Sequence, residues 1–245
     1  MNDMMTICKT TYTRVIRTRS LYVLLAAVLM LVGVTHLYAD LTGGRQAQLM
    51  YDTGGGVLTL VGLFSALMVT FDIARDLREK VAMTLLSKPL GRSQYLLGKF
   101  CGIVWIMTVN LFILSAGVML VLHLEEGTWR ADFIKLAIST WGAMVMTTAL
   151  GVMFASFLGE LSAALLTLFV FVAGHATAGL YYGTRAFKVL GGMLPGFCLV
   201  NFKTELGNNL GISWDLIALA VAYALVYSAV LLSMATIFFN RRDIA

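Results

Sequence analysis

Residues 75–99 read RDLREKVAMTLLSKPLGRSQYLLGK. The stretch stands between two long apolar runs, and its reading decides the fold. Asp72, Arg75, Asp76, Arg78, Glu79 and Lys80 put six charges into nine residues. On insertion scales each charge costs about 3 kcal/mol at the centre of a bilayer, so the group costs roughly 18 kcal/mol. The stretch therefore leaves the membrane. It still carries helical signals. Arg75 and Glu79 are four residues apart, as are Asp76 and Lys80, and such pairs support a helix slightly. Leu77, Val81, Thr84 and Leu85 recur at helical spacing and form an apolar face. Pro89 stops the helix, because it lacks an amide donor and restricts Lys88. Gly91 permits the turn, and Ser93 is placed to cap a helix that passes Gly98 and Lys99 into the next apolar run.

Working outward, the composition agrees with a membrane chain. The 245 residues are 59% hydrophobic and 13% charged, whereas soluble domains carry about 25% charged residues. Six runs are read as membrane helices: 21–39, 57–71, 100–122, 133–158, 161–184 and 216–239. The second is short, and Gly54 to Gly56 before it can extend it. Lys135, near one end of the fourth, can snorkel to water. Backbone groups in hydrocarbon must be satisfied internally, which favours helices, and no alternating ten-residue pattern points to a barrel. Residues 37–39, Leu-Tyr-Ala, make a poor cleavage site, so the first run is expected to be a retained signal-anchor.

Basic residues set the orientation. With the N-terminus in the cytosol, the inside holds Lys9, Arg14, Arg17, Arg19, Arg75, Arg78, Lys80, Lys88, Arg92, Lys99, Arg241 and Arg242. The outside holds Arg45, Arg130, Lys135, Arg185, Lys188 and Lys203. The two-to-one excess favours N-in and C-in. The expected fold is all-α, one integral membrane domain over residues 1–245 with six transmembrane helices. Residues 185–215 are expected to form an extracytoplasmic re-entrant or loop segment. Its apolar part is too short to span and is broken by Gly191, Gly192 and Pro195.

Residues 1–20 place Met4, Ile7, Cys8, Thr11, Tyr12 and Val15 on one arc and Lys9, Arg14 and Arg17 opposite, as in an amphipathic interface helix. In the fourth run Ala143, Thr147, Gly151, Ala155 and Gly159 recur every four residues, which allows close helix approach. That stripe reads either as packing within the chain or as a dimer or sliding surface. Ionisable groups inside membranes are candidates for function. His175, in the fifth run, is the candidate for the substrate pathway, against a plain bond to a neighbouring helix. Asp72 and Glu160 lie where they can snorkel to cytosolic water. His36 and His123 show no metal-ligand spacing, and no metal is expected. Cys8, Cys101 and Cys198 read as small apolar fillers. No nucleophile elbow or zinc helix is present, so enzyme chemistry is not expected. The chain also lacks a G-x-x-x-x-G-K-[ST] phosphate loop and cannot hydrolyse ATP by itself.

By its physics alone, the 72–99 region is either a solvated loop held inside by its charge or a cytosolic docking element. Residues 71–102, FDIARDLREKVAMTLLSKPLGRSQYLLGKFCG, resemble the first cytosolic loop of ABC transporter permeases of the ABC-two membrane family. The resemblance rests on Asp76 with Arg78 and Glu79, Leu85 with Leu86, Pro89, Arg92, and Leu97-Gly98-Lys99. Lys80 and Val81 depart from the Gly-Thr or Arg-Thr that follows the acidic residue in many members. MLPGFCLVNF, residues 193–202, is similar to a Leu-Pro motif in the branch that includes permeases of nitrous-oxide reductase and multicopper enzyme maturation systems. The resemblance implies a multi-pass permease of a bacterial-type inner (cytoplasmic) membrane. It would be of exporter type and work as a homo- or heterodimer with separate cytosolic ABC ATPase subunits. ATP and Mg²⁺ would sit on those partners, and this chain would bind no cofactor. The 72–99 region becomes a coupling helix, with Asp76, Arg78, Glu79, Leu85, Leu86 and Pro89 docking on the ATPase. Arg92 and Lys99 would stabilise the turn and the return into the membrane, and the 1–20 helix would also touch the ATPase. The lipid bilayer is the other partner, and no nucleic acid is expected. Two further readings stand beside this one. In one, the subunit transmits mechanical work to a periplasmic metalloenzyme-maturation partner without moving a solute. In the other, it is a membrane scaffold without an ATPase.

Overall fold

The computed structural model describes residues 46–78, 92–126, 132–176, 195–208 and 210–241, together with Cys8, Thr10, Thr11, Thr13 and Gly33. Apart from those five single residues, the 1–20 helix and the first apolar run lie outside the described residues, as do Glu79, Lys80, Leu85, Leu86, Pro89 and residues 177–194. Within them there are helices and no strand: α1 Gln46–Arg78, α2 Arg92–Glu126, α3 Asp132–Ala155, α4 Glu160–His175, a 3₁₀ turn Phe197–Leu199, α5 Lys203–Gly207 and α6 Trp214–Arg241. Four of them, α1, α2, α3 and α6, are long and apolar enough to cross a membrane, which marks the chain as a membrane protein. α4, at 16 residues, rises about 24 Å and falls short of the roughly 20 residues a crossing needs.

The helices differ from the apolar runs at their ends. α1 has 33 residues, far more than the 57–71 run. The glycines at 54–56 lie inside it, and it continues without a break through Asp72 and Asp76 to Arg78. Arg75 and Arg78 fall in its last turn, where cations offset the negative end of the helix dipole. Thus the charged stretch begins as a direct extension of an apolar helix. α3 stops at Ala155, short of Leu158. The Ser156 amide is shared between the carbonyls of Val152 and Met153, and its hydroxyl donates to Met153 O at 2.6 Å, which tightens the chain into a turn. α4 ends at His175 with Ala176 as its C-cap, so His175 is at a helix end and not in mid-helix.

Side-chain contacts fix the helix directions. Gly54 faces Phe133, Gly62 faces Met144, and Gly151 faces Ala66 and Thr70. Numbering rises together, so α1 and α3 are parallel. Lys135 lies over the Trp214 ring, Gly142 faces Ala224, and Phe157, just past α3, packs on Phe238; α6 is parallel to both. Gly54 against Val118 and Asp76 against Tyr95 make α2 antiparallel to α1. The contact of Arg78 with Glu160 reverses α4 in the same way. One end of the bundle therefore gathers the C-terminal ends of α1, α3 and α6 and the N-terminal ends of α2 and α4.

α3 is the centre of the bundle, with 83% of its apolar window buried. Small residues make that possible. Ala143, Thr147, Gly151 and Ala155 are all buried, and the stripe packs within the chain along this length; Gly159 beyond it is exposed. A Cβ built on Gly62 would stand 2.0 Å from Met144 Cγ, and one on Gly151 would stand 2.1 Å from Thr70 Oγ1. Buried hydroxyls close onto their own helix: Ser65, Thr70, Thr147 and Thr148 donate to the carbonyl four residues back. That leaves each polar atom satisfied without a second chain. Thr11 is also buried and lies against Gly102 of α2.

Gly62→Ala is expected to destabilise the protein by about 1–3 kcal/mol, the usual cost of overpacking. Gly56→Ala, with open space at its Cβ, is expected to be neutral or slightly stabilising. Thermal unfolding of the two variants in one detergent tests this; equal midpoints would show that α1 and α3 do not touch at Gly62.

Candidate functional site

The bundle end that gathers Arg78, Tyr95 and Glu160 holds a buried ion cluster. Asp72 and Asp76 lie one turn apart on α1, and Tyr95 and Lys99 lie one turn apart on α2. In an α-helix residues four apart share a face. The antiparallel pairing of α1 and α2 brings the two faces together. Lys99 Nζ donates to Asp76 Oδ2 at 2.7 Å, and the same ammonium contacts Asp72 Oδ2. The Tyr95 hydroxyl donates to Asp76 Oδ2 at 2.8 Å. Lys99 is 4% exposed and Asp76 is 5% exposed, while Asp72 keeps partial access to solvent.

Neighbouring elements lock this cluster. The Lys99 ammonium lies 5.7 Å from the centre of the Tyr95 ring, at the outer range of a cation–π contact. The Tyr95 ring stacks on Phe239 at 6.2 Å and 24°, which ties the end of α6 to the same point. Both rings are fully buried. Farther out, Arg78 Nη2 pairs with Glu160 Oε1 at 2.9 Å and links the last turn of α1 to the first turn of α4. Glu160 is well placed there, at the positive end of the α4 dipole.

Burial makes the inner pair costly to disturb. Removing ions from water costs several kcal/mol each, and only close pairing offsets it. Separating α1 from α2, or sliding one past the other by a turn, would strand the Lys99 ammonium or a carboxylate. The cluster is thus a rigid joint between the two helix ends that lead into residues 79–91. Among the described residues no group of three or more His, Cys, Asp or Glu side chains stands close enough to hold a metal ion.

The sequence-derived residues fall into four groups. Asp76 and Lys99 meet in the cluster, and Asp76 points into the protein. Arg78 is largely exposed, and Arg92 is the first residue of α2. Glu79, Leu85, Leu86 and Pro89 lie outside the described residues. His175 stands at the opposite end of the bundle. Its Nδ1 is 2.9 Å from Phe171 O in its own helix, and its ring stacks on Phe197 at 5.0 Å and 14°. Phe171 packs on both rings. The Gly196 amide donates to Tyr223 Oη at 3.2 Å, holding the 3₁₀ turn against α6. Sequence reading missed the roles of Asp72 and Tyr95. The signal was present as two pairs at spacing four, Asp72 with Asp76 and Tyr95 with Lys99, at the two ends of the 72–99 region.

A scan of protein-family models finds none that matches this chain, and a search of curated proteins finds no match.

Lys99→Met is expected to destabilise the protein by about 3–5 kcal/mol, because it breaks a buried ion pair by removing one partner. Adding Asp76→Asn to it should recover part of that loss. Arg78→Ala, at an exposed pair, should cost less than about 1 kcal/mol. Chemical unfolding of the single and double variants measures all three, and strictly additive effects of Asp76→Asn and Lys99→Met would rule out the buried coupling.

Proposed function

We propose that this chain is the membrane-spanning permease subunit of an ATP-driven ABC transporter of exporter type. It works as a dimer, with ATP hydrolysed on separate cytosolic ATPase subunits. The observation that carries the reading is the Lys99–Asp76–Tyr95 joint. A lever gripped at residues 79–91 moves the membrane helices only if it is fastened rigidly to them. The joint fastens both flanks of that segment, α1 and α2, at one point, and Phe239 adds α6. Force applied there reaches three helices together. The resemblance of residues 71–102 to the first cytosolic loop of ABC-two permeases supplies the family.

In this reading the joint end of the bundle faces the cytosol. Arg75, Arg78, Lys99 and Arg241 belong to that end, in keeping with the excess of basic residues on the inner side. Residues 21–39 provide the first of six spans, and α1, α2, α3, α4 with the residues that follow it, and α6 provide the rest. Asp76 acts through Lys99 and Tyr95, as a positioning residue, while Arg78, Glu79, Leu85, Leu86 and Pro89 form the contact with the ATPase.

Purification in mild detergent should bring down an ATPase subunit with this chain. Glu79→Lys or Leu85→Asp should abolish that association and leave membrane insertion intact. Asp76→Asn should keep the ATPase bound but lower transport-coupled ATP hydrolysis several-fold. Purification of the wild-type chain without any ATPase subunit would overturn the proposal.

A further inference from the structure

An open groove of about 670 Å³ lies between α2 and α3, away from the ion cluster. Its walls include Thr108, Phe112, Ser115 and Leu120 of α2 and Ile134 and Trp141 of α3. From Thr108 to Leu120 it runs about 18 Å along the helix, around the middle of the apolar part of α2. Phe112, Leu120 and Ile134 are exposed at its rim, so it opens sideways.

The polar atoms of the groove are what set it apart from an ordinary lipid-facing crevice. Trp141 Nε1 donates to Thr108 Oγ1 at 2.8 Å, and Thr108 Oγ1 donates to Val104 O at 2.7 Å. Both are satisfied within the protein. Ser115 is 9% exposed, and its Oγ is buried with no hydrogen-bond partner. Elsewhere in the bundle, buried hydroxyls such as those of Thr167 and Ser228 turn back onto the carbonyl four residues before them. Ser115 makes no such bond to Leu111. A buried hydroxyl without a partner costs free energy that a bound acceptor would return. Among the described residues no ionisable side chain lines the groove, so a charged ligand would be stranded there. The volume lies within the range of small-molecule sites, which pair apolar walls with a few fixed polar groups.

We propose that the groove between α2 and α3 binds a neutral, mainly hydrocarbon molecule that carries one hydrogen-bond-accepting oxygen and enters from the bilayer. Ser115 donates to that oxygen, and the apolar walls hold the rest. The assignment requires only that α2 and α3 cross a membrane, so it stands or falls apart from the ATP-driven reading.

The test uses the full chain in phosphatidylcholine nanodiscs, with Trp105, Trp129 and Trp214 replaced by phenylalanine. Trp141 is then the one emitter, since the chain has four tryptophans. The probe is the methyl ester of 16-doxyl-stearic acid, a neutral lipophile whose nitroxide quenches indole. Quenching is expected to saturate as the probe fraction rises. Ser115→Ala should raise the half-saturating fraction about threefold or more, the size of one hydrogen bond. Ala116→Phe, at an exposed lining position where added bulk leaves the core untouched, should abolish the saturable part. Quenching that rises linearly, or that neither substitution changes, reports probe in the bulk bilayer and overturns the assignment.

Discussion

An ammonium buried between two carboxylates, in a bundle whose other buried described residues are uncharged, is the constraint on which the arrangement of α1 and α2 depends. Lys99 has no water to fall back on. Its position is set by Asp76 and Asp72, and theirs by it. Hydrophobic contacts alone would let two such helices slide, because apolar side chains accept many partners. In lipid this freedom is larger still, since hydrocarbon tails are as good a neighbour as leucine. The ion pair removes it. Once Lys99 is bound, the register of the two helices is fixed to within a turn. The Tyr95–Phe239 stack then carries the same register to α6.

Close packing does the remaining work on the other side of α1. Dispersion between helices grows as their backbones approach, and the glycines at 62 and 151 let α1 and α3 come close enough for Met144 and Thr70 to fill the gap. Back-bonded serines and threonines make this contact possible without leaving donors exposed to hydrocarbon. Against that background the unpartnered hydroxyl of Ser115 is a departure. It occurs where α2 and α3 separate rather than where they close. α2 therefore carries two features of opposite kind. One end is pinned by charge, and the middle borders open space. Because the groove has one wall on α2 and the other on α3, any shift of α2 relative to α3 changes its width.

Much of the helical architecture was legible in the chain. The runs 100–122, 133–158 and 216–239 each lie on a helix, to within a few residues at the ends, because a stretch without charge has one stable conformation in hydrocarbon. The 57–71 run was misjudged in length. Charge density at Asp72 to Lys80 signals departure from the bilayer, yet α1 continues through Asp72 and Asp76 as the same helix. A charged turn can be kept helical and buried when a partner helix neutralises it. The linear pattern shows a pair at spacing four on each helix but not that the two faces meet. The same limit applies to His175, whose place against Phe197 depends on a 3₁₀ turn that the chain brings back to the end of α4.

The sequence by itself determined that this is a membrane chain, helical in its described residues, with a densely charged stretch between two long apolar runs. Those properties follow from the cost of charge and of unpaired backbone in lipid, which each segment meets or fails alone. Tertiary structure decided what the charges do. Read along the chain, Asp76 is four residues from Lys80 and looks like half of a local surface pair. In the folded bundle it binds Lys99, 23 residues away. The physical reason is that Lys99 and Tyr95 reach the same Asp76 oxygen only after α1 and α2 have packed antiparallel.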